Sequence, residues 1–192
     1  MKSETQRLIG QYLSEVADTL TRLPVENIAR VIEVLREVRA RRKRVFVFGN
    51  GGSAATSSHF ACDLSKGATN REQPRIRAVA LVDNMPVFSA WANDSSYENV
   101  FAEQLENLLE PGDVAIGISG SGNSPNILKG VEKAREMGAF TIGFIGFEGG
   151  KLKELVDLPV IVPSNCMEQI EDIHLLLCHL ITVCLRGGDW ET

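Results

Sequence analysis

The sequence predicts a single α/β domain in which five parallel strands form a sheet covered on both faces, preceded by a helical hairpin. Three observations carry this. From Val45 onward, short apolar runs ending in Gly, Ser or Asp alternate with helix-like segments, the signature of strands paired in parallel through crossover helices. Ahead of them lie two amphipathic stretches broken at Leu23-Pro24. With 192 residues, 44% hydrophobic and 23% charged, the chain suits one sizeable core and does not suit a disordered, collagen-like or disulfide-stapled protein.

Taken in order, Leu8, Ile9, Tyr12, Leu13, Val16 and Leu20 recur at helical spacing, and Ile28, Val31, Ile32, Leu35 and Val38 repeat the pattern after the break. Residues 1–43 therefore form the hairpin and residues 44–192 the α/β core. The strands are expected at Val45 to Phe48, Ala78 to Val82, Val114 to Ile118, Thr141 to Ile145 and Leu158 to Val162, and a last helix from Met167 to Leu185 closes the chain.

Composition narrows the function. Twenty basic against 25 acidic residues give a charge of −5, which disfavours a protein that lives on nucleic-acid phosphates. The run Arg39-Ala40-Arg41-Arg42-Lys43-Arg44 is expected to be a solvated helix end whose cations answer the helix dipole. The polar start, Met1 to Arg7, lacks the apolar run of a signal peptide, and Leu175 to Leu185 is too short to span a bilayer. A cytoplasmic protein without membrane partners is expected, and Cys62, Cys166, Cys178 and Cys184, with no CxxC spacing, read as reduced packing thiols.

Ligands of such sheets bind beyond the carboxyl ends of the strands. Two loops there are rich in Gly and Ser: Gly49-Asn50-Gly51-Gly52-Ser53 after the first strand and Ser119-Gly120-Ser121-Gly122-Asn123-Ser124-Pro125-Asn126 after the third. Backbone amides and hydroxyls at a helix start suit an anion, although either loop alone is equally a tight turn with a cap. Neither has the Gly-Lys-Ser/Thr of a P-loop. Gly49, Gly51 and Ala54 satisfy GxGxxA, but the acidic residue expected ~20 positions on is missing from the end of the second strand, and a dinucleotide leaves the second loop idle. A monophosphate accounts for both.

Among groups able to do chemistry, His59 and Asp63 stand four apart on the helix after the first loop, hence on one face. The closing helix offers Glu171, Asp172, His174 and His179. His174 is turned about 140° from His179 and reads as structural.

Gly49 to Ser53, the Ser119 to Ser124 loop and Ala92-Asn93-Asp94 resemble the sugar isomerase (SIS) domain, and within it the phosphoheptose isomerase group, over nearly the whole chain. The resemblance implies a flavodoxin-like three-layer sandwich of SIS type with a five-stranded parallel sheet. It implies a phosphate grip by Ser53, Ser119, Ser121 and Ser124 with Gly51, Gly52 and Gly120, and sugar contacts from Asn50, Asn93 and Asp94. It implies that His59, Asp63, Glu171 and His179 bind one Zn²⁺ per subunit, that Asp63 and Glu171 also face substrate, and that Asp63 and His179 shuttle protons. The activity implied is isomerisation of sedoheptulose 7-phosphate to D-glycero-D-manno-heptose 7-phosphate for cell-envelope heptose synthesis, in a homotetramer with sites between subunits. A carboxylate and a near-neutral histidine suit proton transfer through an enediol.

Asp63 stands where the family has Glu, Glu171 where it has Gln, Gly120 where it usually has Thr, and Lys66-Gly67 where an arginine is common. These departures keep a different phosphosugar open as substrate. A phosphosugar sensor or a partner of the replication initiator is the non-catalytic alternative, against which both His59 and His179 are retained.

Overall fold

Side chains alternate along each central strand, so one strand feeds two cores. Strand β1 (Arg44–Gly49) sends Val45 and Val47 to one face and Phe46 and Phe48 to the other. The computed structural model describes residues 3–69 and 72–187; the outermost ends of the expected single domain lie outside them. Strands β2 (Arg77–Ala80), β3 (Val114–Ser119), β4 (Phe140–Ile145) and β5 (Leu158–Ile161) complete an all-parallel sheet in the order β2-β1-β3-β4-β5.

Helices α1 (Glu4–Leu20) and α2 (Val25–Ala40) make the hairpin. After β1 comes α3 (Gly52–Cys62), and between β2 and β3 lie α4 (Met85–Asp94) and α5 (Ala102–Leu108). Helix α6 (Pro125–Glu136) joins β3 to β4, α7 (Leu152–Leu155) joins β4 to β5, and α8 (Met167–Arg186) ends the fold. One core packs α2, α3 and α8 on the sheet through Leu35, Phe60, Ile173 and Leu177. The other packs α5 and α6 on the opposite face through Leu105, Ile127 and Val131. This is the expected three-layer sandwich, and its strand order reverses between β1 and β3, where such sheets open a ligand crevice.

Strand β2 departs from expectation. It runs over Arg77–Ala80 rather than Ala78 to Val82, because this edge strand pairs only with β1 and its ladder ends at Val47 opposite Ala80. Leu81 is still buried, in the core beneath α5, so the apolar run outlasts the strand. Helix α1 is anchored by polar contacts: the Tyr12 hydroxyl donates to Asp172 Oδ2 at 2.5 Å, and Gln169 Nε2 donates to Glu15 at 2.8 Å. Its apolar residues Leu8, Ile9 and Leu13 stay more than half exposed. Among the described residues no helix is long and apolar enough to cross a membrane, and the four cysteines are unpaired.

His174 is fully buried against Phe144, as a structural histidine should be. Burial pulls its pKa down to about 4, the nearby Ile145 backbone offsetting only part of the effect. A histidine that resists protonation when folded stabilises the fold above its unfolded pKa, near 6.5, and that stability is lost as pH falls toward 4. The melting temperature is therefore expected to drop between pH 6.5 and 4.5, and His174→Phe to flatten the drop. Equal slopes in the two proteins would show that His174 is not the group responsible.

Candidate active site

The two hydroxyl-bearing loops flank the crevice between β1 and β3. Gly51 caps α3 with φ 54°, and no side chain caps that helix start, leaving amide groups directed outward beside Ser53 in the first turn. Across the crevice, Ser119 ends β3; its Oγ accepts from the Gly122 amide at 3.2 Å and lies 3.4 Å from Ser124 Oγ. Ser124 is the N-terminal flank of α6 without spending its hydroxyl on a cap, and Ser121 Oγ accepts from the Asn123 amide at 3.2 Å. Hydroxyls and helix starts thus line both sides of the crevice.

A pair of amides ties the loops together. Asn50 Nδ2 donates to Asn126 Oδ1 at 2.8 Å, Asn126 Nδ2 returns a bond to Asn50 Oδ1 at 2.8 Å, and the Tyr97 hydroxyl donates to the same oxygen at 2.9 Å. Asn50, expected to face sugar hydroxyls, also serves as a strut between loops. Sequence reasoning missed Asn126 and Tyr97. The signal for Asn126 is an amide, buried here to 1% exposure, in the first turn of a helix whose flanking Ser124 does not cap. Nothing local marked Tyr97, which lies in a short 3₁₀ turn (Tyr97–Asn99). Beside this strut a cavity of about 370 Å³ is lined by Asn50, Gly51, Ser58, Phe88 and Tyr97.

Further along α3 the chemistry gathers. Helix α3 passes into a π turn at Asp63–Gly67, closed by the Ala68 amide donating to Asp63 O at 2.8 Å; such π turns recur at functional sites. Asp63 Oδ2 lies 3.2 Å from His59 Nε2 and 3.7 Å from His179 Nε2, and the two ring nitrogens are 2.8 Å apart. Only one of those nitrogens can carry the proton between them. Asp63 Oδ2 is itself buried without a hydrogen-bond donor. All three residues belong to one chain.

The remaining expected site residues fall elsewhere. Of the four expected metal ligands the structure brings His59, Asp63 and His179 within 4.8 Å of one another. Glu171 is not among them: its carboxylate lies against Gly52, and a Cβ built there would be 2.5 Å from Oε2. The carboxylate thus faces the start of α3, where its charge suits the helix dipole and competes with a phosphate. Asn93 and Asp94 end α4, exposed, Asn93 Nδ2 donating to Asp94 Oδ1 at 2.7 Å. Gly120 lies under Met167: a Cβ there would stand 2.4 Å from Met167 Sδ, so the methionine side chain would have to move to admit a larger residue.

Known proteins share this architecture. The SIS domain family matches residues 11–146. The chain belongs to the SIS domain family. Within it, the chain is 39% identical over 171 residues to a probable phosphoheptose isomerase of Thermoplasma acidophilum, covering 89% of this chain and 93% of the relative. It is 41% identical over 177 residues to the phosphoheptose isomerase of Paramagnetospirillum magneticum, covering 90% and 91%. Among solved structures, phosphoheptose isomerase GmhA of Neisseria gonorrhoeae superposes with a TM-score of 0.87 at 29% identity, covering 94% of this chain and 98% of the other. The enzyme of Francisella tularensis superposes at 0.89 with 26% identity, covering 96% and 99%. The SIS architecture and the phosphoheptose isomerase likeness therefore extend over the whole fold, and the protein is a phosphosugar isomerase of the aldose–ketose class.

Proposed function

We propose that this SIS isomerase interconverts sedoheptulose 7-phosphate and D-glycero-D-manno-heptose 7-phosphate in the cytoplasm, supplying heptose for the cell envelope. The observation that carries the proposal is the convergence of His59 of α3, Asp63 of the π turn and His179 of α8, α3 itself starting at the first hydroxyl loop. Gly52 and His59 lie seven residues apart on α3, about 10 Å along the axis, the scale of an extended sugar chain with phosphate at its far end. Ser53, Ser119, Ser121 and Ser124, with the amides around Gly51, Gly52 and Gly120, take the phosphate. Asp63 and His179 take a proton from the carbon beside the carbonyl and return it to the neighbouring carbon, since their facing atoms lie within 3.7 Å and so reach adjacent carbons.

The same three side chains suit a divalent ion such as Zn²⁺, one per subunit. Two imidazole nitrogens and a carboxylate oxygen are a catalytic zinc donor set that leaves a position open, and the donorless, buried Asp63 Oδ2 is the atom such an ion satisfies. When bound, the ion supplies Lewis-acid stabilisation of enediolate charge. His59, Asp63 and His179 would hold it; Glu171, at Gly52, would have to swing to join them.

A different phosphosugar is the second reading, favoured by Gly120 crowded under Met167 and Gly67 crowded against Thr182, where the family carries larger side chains. Purified protein incubated with sedoheptulose 7-phosphate, with and without added Zn²⁺, is expected to form the aldose 7-phosphate. No aldose phosphate under either condition overturns the proposal, and preferential turnover of another ketose phosphate selects the second reading. We further propose a homotetramer, supported by the uncovered apolar residues of α1 and by α4, which buries none of its residues. Sedimentation as a monomer at working concentration would remove it.

A further inference from the structure

Arg39 of α2 touches both elements that carry the reacting residues while touching none of those residues. It is 4% exposed, and among the described residues its hydrogen bonds run to backbone carbonyls. Nη1 donates to Leu185 O at 3.0 Å in the last turn of α8, and Nη2 donates to Ala68 O at 3.0 Å. Nε is buried without a partner. Burial, then the neighbouring Arg36 charge, lower its pKa, yet a guanidinium keeps its proton in proteins. Among the described residues, this interior cation is thus held by two backbone carbonyls.

Those carbonyls are specific. Ala68 is the residue whose amide closes the π turn on Asp63 O at 2.8 Å, so the backbone that aims Asp63 is gripped at its far side. Leu185 O belongs to the C-terminal turn of α8, where a positive charge is favourable, six residues beyond His179 on the same helix. Between these two points the π turn and α8 pass close together: a Cβ on Gly67 would lie 3.0 Å from Thr182 Cγ2. Thr182 Oγ1 and Asp63 Oδ2, like Arg39 Nε, are buried there without hydrogen bonds. This seam has few directional bonds to keep α8 from sliding, and Arg39 makes two.

We propose that Arg39 is a positioning residue: its guanidinium cross-links the π turn to the end of α8 and so holds Asp63 and His179 in register. The proposal rests on His59, Asp63 and His179 being the reacting centre, and one arm of its test needs no turnover. The variants are Arg39→Met, Arg39→Lys and Arg39→Ala with and without added guanidinium, with Arg36→Met as the control, a solvent-facing arginine on the same helix that reaches Cys184 O at 3.3 Å.

In Arg39→Met the Ala68 amide is expected to exchange with solvent at least about tenfold faster while the amides of β3 and β4 keep their protection. Its kcat should fall about 10- to 100-fold with KM within about threefold, as displacement of a catalytic group produces. Added guanidinium should restore part of the activity of Arg39→Ala, and Arg36→Met should behave as wild type. Unchanged Ala68 exchange, unchanged kcat, or a loss that follows core unfolding and is not relieved by guanidinium overturns the assignment. If Arg39→Met does not fold, Arg39→Lys decides: wild-type kcat and Ala68 protection in that variant overturn the cross-link, and intermediate values support it. If the wild-type protein turns over no sugar phosphate, the functional reading fails, while Ala68 exchange still decides the cross-link.

Discussion

Replacing His179 with glutamine is expected to lower kcat by about 10²- to 10⁴-fold, the usual worth of a positioned acid or base, while inorganic phosphate binds as before. Glutamine keeps a similar reach and a hydrogen-bonding end but does not titrate near neutral pH. The His179 side chain is 54% exposed, so the change should leave stability within about 0.5 kcal/mol. The proposed phosphate grip lies at the start of α3 and in the Ser119 to Ser124 loop, and the start of α3 is seven residues from His59, the residue His179 meets, so phosphate affinity should not move. Steady-state kinetics, a phosphate titration and a thermal melt on one preparation separate these effects. Unchanged turnover would remove His179 from the mechanism.

Asp63→Asn is expected to remove activity to a similar degree, about 10²- to 10⁴-fold, and to weaken Zn²⁺ binding sharply, because the amide oxygen is neutral. Its effect on stability should have the opposite sign. Asp63 Oδ2 is buried with no hydrogen bond, and among the described residues only the ion pairs to His59 at 3.2 Å and His179 at 3.7 Å offset its charge, so a charged oxygen in that position costs more than an amide one. The melting temperature should stay level or rise by about 2–4 °C, as for other functional sites that carry strain the fold itself does not need. A large fall in melting temperature alongside the lost activity would mean that Asp63 serves the fold, with its ion pair to His59 a structural bond.

The two expectations differ in how visible they were in the chain. His59 and Asp63 share a helix, and their four-residue spacing places them together whatever the rest of the fold does. Their meeting with His179 depends on α8 returning across 120 residues to lie beside α3, which no local pattern encodes. The π turn that begins at Asp63 was equally hidden, because Asp63-Leu64-Ser65-Lys66-Gly67 carries ordinary helical residues. At its end lie the close packing of Gly67 on Thr182 and the Arg39 bond to Ala68 O, both contacts made by elements distant in the chain. Arg39 itself reads as one more cation in a basic helix end, and only the packing of α2 against α8 removes it from solvent.

The carboxyl-edge loops were legible for a physical reason: a parallel strand must hand over to its crossover helix, and Gly and Ser at that turn leave amides and hydroxyls free. The roles inside those loops were less so. Asn50 and Asn126 lie 76 residues apart, and each satisfies the other only because β1 and β3 are neighbours in the sheet.

By itself, then, the sequence determined the layers, the five-stranded parallel sheet, the two Gly- and Ser-rich turns at its carboxyl edge and the candidates for reactive side chains, since those follow from periodicity, turn chemistry and residue type acting over a few positions. The tertiary structure decided which reactive groups meet. It brought His179 to His59 and Asp63, sent the Glu171 carboxylate to the start of α3 beside Gly52, and buried one arginine between two backbone carbonyls. Each of these depends on helices distant in the chain being pressed together by the burial of their apolar faces, and on close packing that leaves each polar side chain a single place to go.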